Sequence, residues 1–447
     1  MTSPAFRRLF AALVLILLAA PGARAAVFNP ETFTLENGME VVVVPNHRAP
    51  VVVHMVWYRV GAADDPVGKS GIAHFLEHLM FKGTPNYPDG EFSRLVARYG
   101  GNENAFTSQD YTGYYQKVAK QRLGLVMALE ADRMTNLVLS DEVVLPERDV
   151  IIEERRSRVD NNPSALLGEQ IAAAQYLAHP YGVPVIGWEH EIRALTTEDA
   201  LAFYRRHYAP GNAVLVVSGD ITLAELKPLA EKHYGVIPAQ DIAPRLRPQE
   251  PPQRAARRVV LRDGRVSQPS LSRSYIAPSL SAGATEHAYP LQVLAEVLGG
   301  GATSRLYRAL VVERQLAASA GAWYDDVSLD LTRFVVYATP SPGVEIAELE
   351  AAIDEEIARL LDDGVGEDEI GRIKQRLIAE TTYARDSLYA AARAFGAALT
   401  SGVSVAEIEA WPERIEAVTV ERINQAARAV LRPEGSVTGV LLPEETN

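Results

Sequence analysis

The sequence repeats itself in outline on either side of a proline-rich segment near its middle. Residues 238–254 contain five prolines and neither helical nor strand periodicity, which predicts an extended linker. This segment separates two parts of similar length, residues 26–237 and 255–447. A chain of 447 residues is too long for one simple core, so two to four domains are expected.

Three short matches between the two parts occur in the same order along the chain. Each match is weak alone, but the common order supports a duplicated domain. The matched pairs are Leu35–Gly38 with Leu261–Gly264, Ser93–Leu95 with Ser304–Leu306, and Tyr208–Asn212 with Leu431–Gly435.

Both halves mix strand and helix patterns. β-branched runs followed by 3.6-residue periodicity predict an α+β fold, formed twice, with helices packed on one face of a mainly antiparallel sheet. The predicted strands include residues 39–45, 51–60, 213–219, 334–338 and 436–442, and the predicted helices include 71–81, 89–99, 120–136, 140–158, 346–363 and 367–385.

The first 25 residues have the pattern of a secretory signal peptide. Arg7 and Arg8 precede the apolar run Leu9–Ala20, and Ala23–Ala25 offers a small-x-small cleavage site. The run is too short to cross a bilayer of about 30 Å, although an uncleaved anchor is the alternative. We therefore expect an exported chain without a stable membrane anchor. The periplasm of a double-membraned bacterium is the natural compartment, and full secretion is the alternative.

Composition excludes several classes of function. The net charge is −13, so no basic excess is available to bind a nucleic-acid backbone. The chain has no cysteine, which excludes a thiol nucleophile, a disulfide and a sulfur-ligated zinc site. Any metal must be held by His, Asp or Glu.

The chemistry-bearing motif is H-x-x-E-H, formed by His74, Glu77 and His78. Residues three and four apart share one face of a helix, so both imidazoles can reach one point with the carboxylate beside them. Two imidazoles at this spacing suit Zn²⁺, and a nearby carboxylate can accept a proton from water. The same pattern also occurs on solvated or ion-paired helix surfaces.

A third protein ligand would come from an acidic helix further along the chain. The segment Pro146–Arg158 begins with a proline that suits a first helical turn. Glu147, Ile151 and Glu154 form one stripe of that helix. Glu153 and Glu154 are about 100° apart around the axis, so only one of them should reach the metal. A salt-bridged surface stripe is the alternative interpretation.

These residues resemble the pitrilysin/insulysin family of zinc peptidases, which includes the mitochondrial processing peptidases. Glu154 follows His78 by 76 positions, as the family pattern requires. The resemblance implies that His74, His78 and Glu154 bind one Zn²⁺ per chain. It also implies that Glu77 is the general base and that Glu147 supports the site from outside the ligand set.

The resemblance extends to the substrate strand. The stretch around Asn104, Ala105, Phe106 and Thr107 is similar to the family's edge strand, which implies that a peptide substrate adds there as a further strand. The resemblance also implies that residues 26–237 are a zinc-binding catalytic domain. It further implies that residues 255–447 are a homologous domain without the zinc motif.

One departure from the family pattern bears on the partner. Complete members carry an arginine and a tyrosine in the second half, where this chain has Val311 and Ala318. We therefore expect the zinc-bearing subunit of a heterodimer, whose homologous partner supplies Arg and Tyr and closes a chamber; a homodimer is the alternative. The expected function is a zinc-dependent endopeptidase acting on oligopeptides or unfolded segments. A non-catalytic structural or peptide-binding subunit is the competing hypothesis.

Overall fold

The computed structural model describes residues 27–88 and 90–444. Its first half is organised around a six-stranded sheet with the order β1-β2-β6-β3-β5-β4. Only β2 and β6 are parallel, and the other neighbouring pairs are antiparallel. The strands are β1 (Glu31–Thr34), β2 (Glu40–Pro45), β3 (Val51–Tyr58), β4 (Asn102–Thr107), β5 (Thr112–Ala119) and β6 (Ala213–Gly219).

The helices of the first half follow from its apolar stripes. Except in the helix Pro163–Gln175, which packs on the second half, their buried apolar side chains form one core with the inner face of the sheet, as expected for amphipathic helices. They are α1 (Ile72–Leu79), α2 (Glu91–Arg98), α3 (Leu123–Asn136), α4 (Asp141–Arg155), α5 (Pro163–Gln175), α6 (Glu189–Ala194), α7 (Thr197–His207) and α8 (Leu223–His233).

The second half is built on a five-stranded sheet with the order β7-β11-β8-β10-β9. Its strands are β7 (Arg257–Asp263), β8 (Ser270–Ala277), β9 (Ala317–Tyr324), β10 (Thr332–Pro340) and β11 (Ser436–Pro443). Its helices are α9 (Ala288–Gly299), α10 (Ile346–Asp363), α11 (Glu367–Ala384), α12 (Leu388–Thr400), α13 (Val405–Glu409), α14 (Trp411–Glu416) and α15 (Val420–Val430).

The two sheets have the same topology, which confirms the α+β duplication. When β1 is set aside, β2-β6-β3-β5-β4 corresponds in order and direction to β7-β11-β8-β10-β9. Two of the three sequence matches fall at equivalent places, before β4 and β9 and before β6 and β11. The third does not, because Leu35–Gly38 precedes β2 whereas Leu261–Gly264 overlaps the end of β7.

Each sheet is covered on its second face by a helix from the other half. Helix α5 packs on β7 and β11, while α12 packs on β3 and β6. Both contacts are close. A Cβ at Gly396 of α12 would lie 2.0 Å from the Trp57 ring, and a Cβ at Gly439 of β11 would lie 2.1 Å from Ile171 of α5. This reciprocal packing, which sequence periodicity did not indicate, holds the halves together.

Residues 238–254 contain neither helix nor strand, and their arginines bind both halves. Arg245 and Arg247 contact Asp64 at 2.6 and 3.0 Å. Arg247 also contacts Asp110 of the first half at 2.5 Å and Asp330 of the second half at 3.0 Å. Buried ion pairs with several hydrogen bonds have a defined geometry, so the connecting segment fixes the position of one half relative to the other.

Helix α4 begins at Asp141, so Pro146 lies inside the helix and the prediction that it occupies the first turn was wrong. The predicted signal peptide, residues 1–25, lies outside the described residues. Within residues 27–88 and 90–444, no helix is both long and apolar enough to cross a membrane.

Candidate metal centre

Helix α1 is held in place by its apolar side and by its first turn. Phe75, Leu76 and Leu79 are fully buried in the core of the first half. At the amino end, the Asp65 carboxylate accepts hydrogen bonds from the amides of Gly71 at 2.7 Å and Ala73 at 3.1 Å. An acidic group at this end also complements the helix dipole. Burial nevertheless raises the pKa of Asp65 well above its usual range.

The three polar residues of the motif lie on the remaining side of α1. His74 and Glu77 are each 8% exposed, and His78 is more accessible. The two imidazole rings have centroids 4.9 Å apart. The helix therefore presents both rings and a carboxylate in one small region, as the i, i+3, i+4 spacing predicted.

Helix α4 brings Glu154 to the two histidines. Its Oε2 lies 3.3 Å from His78 Nε2 and 3.7 Å from His74 Nε2. One ligand atom from each of these three side chains lies within 4.8 Å of the others. Glu154 Oε2 is buried and has no hydrogen-bond partner among the described residues. Two imidazoles and a carboxylate are a donor set that suits Zn²⁺, so the residues present fit this ion.

The adjacent acid points elsewhere. Glu153 is 68% exposed and pairs with Arg156, whereas Glu154 is 15% exposed. The other oxygen of Glu154, Oε1, pairs with Arg158 at 2.9 Å. Of these two neighbouring acids, Glu154 is therefore the one that lies beside the histidines.

Glu147 contacts His78 on the side of the ring opposite to Glu154. His78 Nδ1 is 2.9 Å from Glu147 Oε1, and Lys82 Nζ is 2.5 Å from Glu147 Oε2. A carboxylate bound to one ring nitrogen orients the other nitrogen, here Nε2, towards the metal position. The contact with His78, aided by Lys82, lowers the pKa of Glu147 to about 2.

The two histidines differ in their affinity for a proton. Burial and the neighbouring His78 lower the pKa of His74 to about 4, which keeps this imidazole neutral. Burial acts in the same direction on His78, but the hydrogen bond to Glu147 and the nearby Glu154 carboxylate outweigh it and raise its pKa to about 9. The carboxylates around His78 therefore favour a positive charge at the centre.

The predicted substrate strand β4 lies at the edge of the first sheet, beside α1. Thr107 faces α1, and its Oγ1 donates a hydrogen bond of 2.6 Å to Glu77 Oε2. Phe106 faces the other side, where its ring contacts Trp57 at a centroid distance of 4.8 Å and lies beneath the Arg393 guanidinium. Burial raises the pKa of Glu77, although the bond from Thr107 opposes this effect.

The remaining residues of the predicted strand follow its alternation. Ala105 is half-buried and packs against the core of the first half, on the same side as Thr107. Asn104 is exposed, and its side-chain oxygen accepts the amide hydrogen of Ala105 at 2.9 Å. The outer edge of β4 carries no strand among the described residues.

The positions that depart from the family pattern lie in the second half. Val311 is half-buried against the core of that half, within the helical turn of residues 307–313. Ala318 is exposed on β9. Sequence reasoning missed the capping of α1 by Asp65 and the contacts of Lys82 with Glu147 and of Thr107 with Glu77, because nothing in their spacing indicates which element they would face.

Comparison with known proteins places these features in a family. Residues 40–188 match the model described as insulinase (peptidase family M16), and residues 194–377 match the one described as the peptidase M16 inactive domain. The zinc protease PqqE of Helicobacter pylori is 33% identical over 365 residues, which cover 81% of each chain.

Solved structures agree with this assignment. A protease from Helicobacter pylori has a TM-score of 0.87 at 31% identity and covers 93% of this chain and 99% of its own. The periplasmic protease PqqL from Escherichia coli shares the fold, with a TM-score of 0.80 at 19% identity. The match spans 94% of this chain but 48% of that one. The sequence matches and the duplicated fold together show that this chain belongs to the M16, or insulinase, family of peptidases.

Proposed function

We propose that the chain is a zinc-dependent endopeptidase. The observation that carries this proposal is the convergence of His74, His78 and Glu154, with the Glu77 carboxylate on the same face of α1. His74, His78 and Glu154 would hold the ion. When bound, zinc lowers the pKa of a coordinated water and polarises the scissile carbonyl.

The protein's own groups account for binding and proton transfer. Glu77 accepts the proton of the attacking water on its carboxylate and passes it to the leaving amine. Its raised pKa, caused by burial, brings it closer to the working range of a general base. Glu147 keeps His78 Nε2 directed at the ligand position.

The substrate class follows from the edge strand. The free edge of β4 can pair with the backbone of an extended peptide, which supplies affinity without requiring one particular side chain. A folded domain has few extended segments with free backbone groups. The substrates are therefore oligopeptides or unfolded segments.

The proposal includes a partner subunit. Val311 and Ala318 offer no hydrogen-bonding side chain, so the arginine and tyrosine expected opposite the zinc site must come from elsewhere. A heterodimer with a homologous subunit would provide them and close the chamber, and a homodimer would close it without them. The chain of the similarly folded PqqL is about twice as long, which is consistent with two such units forming a complete molecule. The leader pattern of residues 1–25 supports a periplasmic location.

A non-catalytic peptide-binding or structural subunit is the second candidate. The second half favours it in part, since it matches a model described as inactive. However, all four positions of the motif are present in the first half, and the geometry brings the three ligands together. The enzyme is therefore the better-supported function.

The test is to purify the chain from its native source with whatever subunit accompanies it. We expect one zinc per chain, cleavage of unstructured peptides, loss of cleavage after chelation and recovery when zinc is restored. Bound zinc without cleavage in any assembly would favour the peptide-binding subunit. Full activity of the isolated chain would contradict the heterodimer.

A further inference from the structure

The last residue of β4 contacts the proposed general base. Thr107 Oγ1 lies 2.6 Å from Glu77 Oε2, which is a short hydrogen bond in which the hydroxyl donates. The two residues belong to different elements, the edge strand and helix α1. No other side-chain bond to the Glu77 carboxylate is found among the described residues of the first half.

The side chain and the backbone groups of Thr107 point in different directions. Side chains alternate between the two faces of a strand, while the backbone N–H and C=O groups lie in its plane. The hydroxyl of Thr107 faces α1, so it is directed away from the edge at which a further strand would add. A role for this hydroxyl in holding substrate is therefore less favoured than a role in holding Glu77.

The hydrogen bond from Thr107 restricts the orientation of the Glu77 carboxylate. A glutamate side chain has three rotatable bonds, and apolar neighbours on α1 do not select its carboxylate orientation. With Oε2 engaged by Thr107, the remaining oxygen, Oε1, is left to accept a proton. Because Thr107 is part of β4, the base is also fixed relative to the strand that would hold the substrate.

We infer that Thr107 is a positioning residue, which through its hydroxyl holds the Glu77 carboxylate in the orientation needed for proton transfer. This inference rests on the proposed endopeptidase function. Misplacement of a reacting group by about 1 Å can cost roughly 100-fold in rate. Loss of the hydroxyl should accordingly lower kcat by roughly 10- to 100-fold and leave KM and zinc content almost unchanged.

The experiment compares Thr107→Val, which keeps the shape, with Thr107→Ser, which keeps the hydroxyl. Both are assayed in the assembly in which the unmodified protein cleaves peptides, and kcat, KM and bound zinc are measured. Thr112→Val is the matched control, because Thr112 is paired with Thr107 in the sheet but donates to the Val60 carbonyl. We expect Thr107→Ser and the control to retain kcat.

A second measurement separates positioning from substrate binding. In a Glu77→Gln background, the dissociation constant of an uncleaved peptide should be the same with and without the additional substitution Thr107→Val. A rise in this constant, a change confined to KM, or an unchanged kcat would overturn the inference. If Thr107→Val does not fold, Thr107→Ala gives the same comparison. Absence of cleavage by the unmodified protein would instead refute the endopeptidase proposal.

Discussion

Helices α1 and α9 occupy the same place in the two halves but differ in what their polar side chains contact. Each follows the strand at the middle of its sheet, β3 or β8, and each packs beside an edge strand, β4 or β9. On α1, His74, Glu77 and His78 face the acids of α4 and the hydroxyl of the edge strand. On α9, the polar side chains are bound within their own half.

Two polar side chains of α9, Gln292 and Glu296, have protein partners in the second half. Gln292 donates to Asp326 at 2.6 Å and accepts from the Trp411 indole at 2.9 Å. Glu296 pairs with Arg376 of α11, the helix that corresponds to α4. The Glu296–Arg376 pair joins opposite charges, whereas two imidazoles beside a buried carboxylate oxygen form a donor set that could hold a metal ion. The duplicated backbone is thus common to both halves, and side chains on one helix pair determine which half carries the candidate metal centre.

The comparison can be tested most strongly at the acids of the two helices. Glu77→Gln should lower peptide cleavage by roughly 10²- to 10⁴-fold, because it removes the proposed general base. Zinc content should stay unchanged, since Glu77 is not among the converging ligands. Glu296→Gln, on the corresponding helix α9, is the control and should retain activity. Equal effects of the two substitutions on cleavage would break the distinction between the halves.

The second prediction concerns the ligand contributed by α4. Glu154→Gln should weaken zinc binding by more than roughly 100-fold, because it removes a charged ligand from a site with three protein donors. The neighbouring substitution Glu153→Gln should leave zinc affinity unchanged, since Glu153 is exposed and paired with Arg156. Zinc affinity is measured by competition with a chelator. A similar loss in both variants would contradict the assigned ligand.

A smaller loss of zinc affinity is expected at Glu147, which contacts the proposed ligand His78. Glu147→Gln should lower zinc affinity by roughly 10- to 100-fold, because it removes the charge that orients His78. The control is Asp149→Asn, an exposed acid on the same helix. Unchanged zinc affinity in Glu147→Gln would show that the contact between His78 and Glu147 is not needed to form the centre.

The smallest effect is expected for Asp326 in the second half, and it concerns the pH dependence of thermal stability. Burial raises the pKa of Asp326 to about 7, above the ordinary value of 3.8. The folded protein then retains a proton that the unfolded chain releases, so the associated stability is lost as pH rises from about 4 to about 7. Asp326→Asn should therefore raise Tm, relative to the unsubstituted protein, more at pH 8 than at pH 5, and leave zinc content unchanged. An equal Tm difference at both pH values would contradict the raised pKa of Asp326.

The sequence predicted the elements better than their packing. Strand β6 and helix α10 have the predicted bounds, because long aliphatic or amphipathic runs specify them locally. The position of Pro146 was misjudged because the residues before it also fit a helix. The coverage of each sheet by a helix from the opposite half could not be predicted, because nothing in the sequences of α5 and α12 indicates which sheet each helix packs against.

What the sequence determined by itself is the set of side chains that share α1. The helical period of 3.6 residues places His74, Glu77 and His78 on one face whatever the rest of the chain does. The distance of 76 residues to Glu154 indicated a ligand only through family resemblance. Only the tertiary structure decided that Glu154, rather than Glu153, meets the histidines, that Asp65 binds the start of α1 and that Thr107 contacts Glu77. These contacts join elements separated by loops, and their geometry depends on how the elements pack around a common core rather than on any local period.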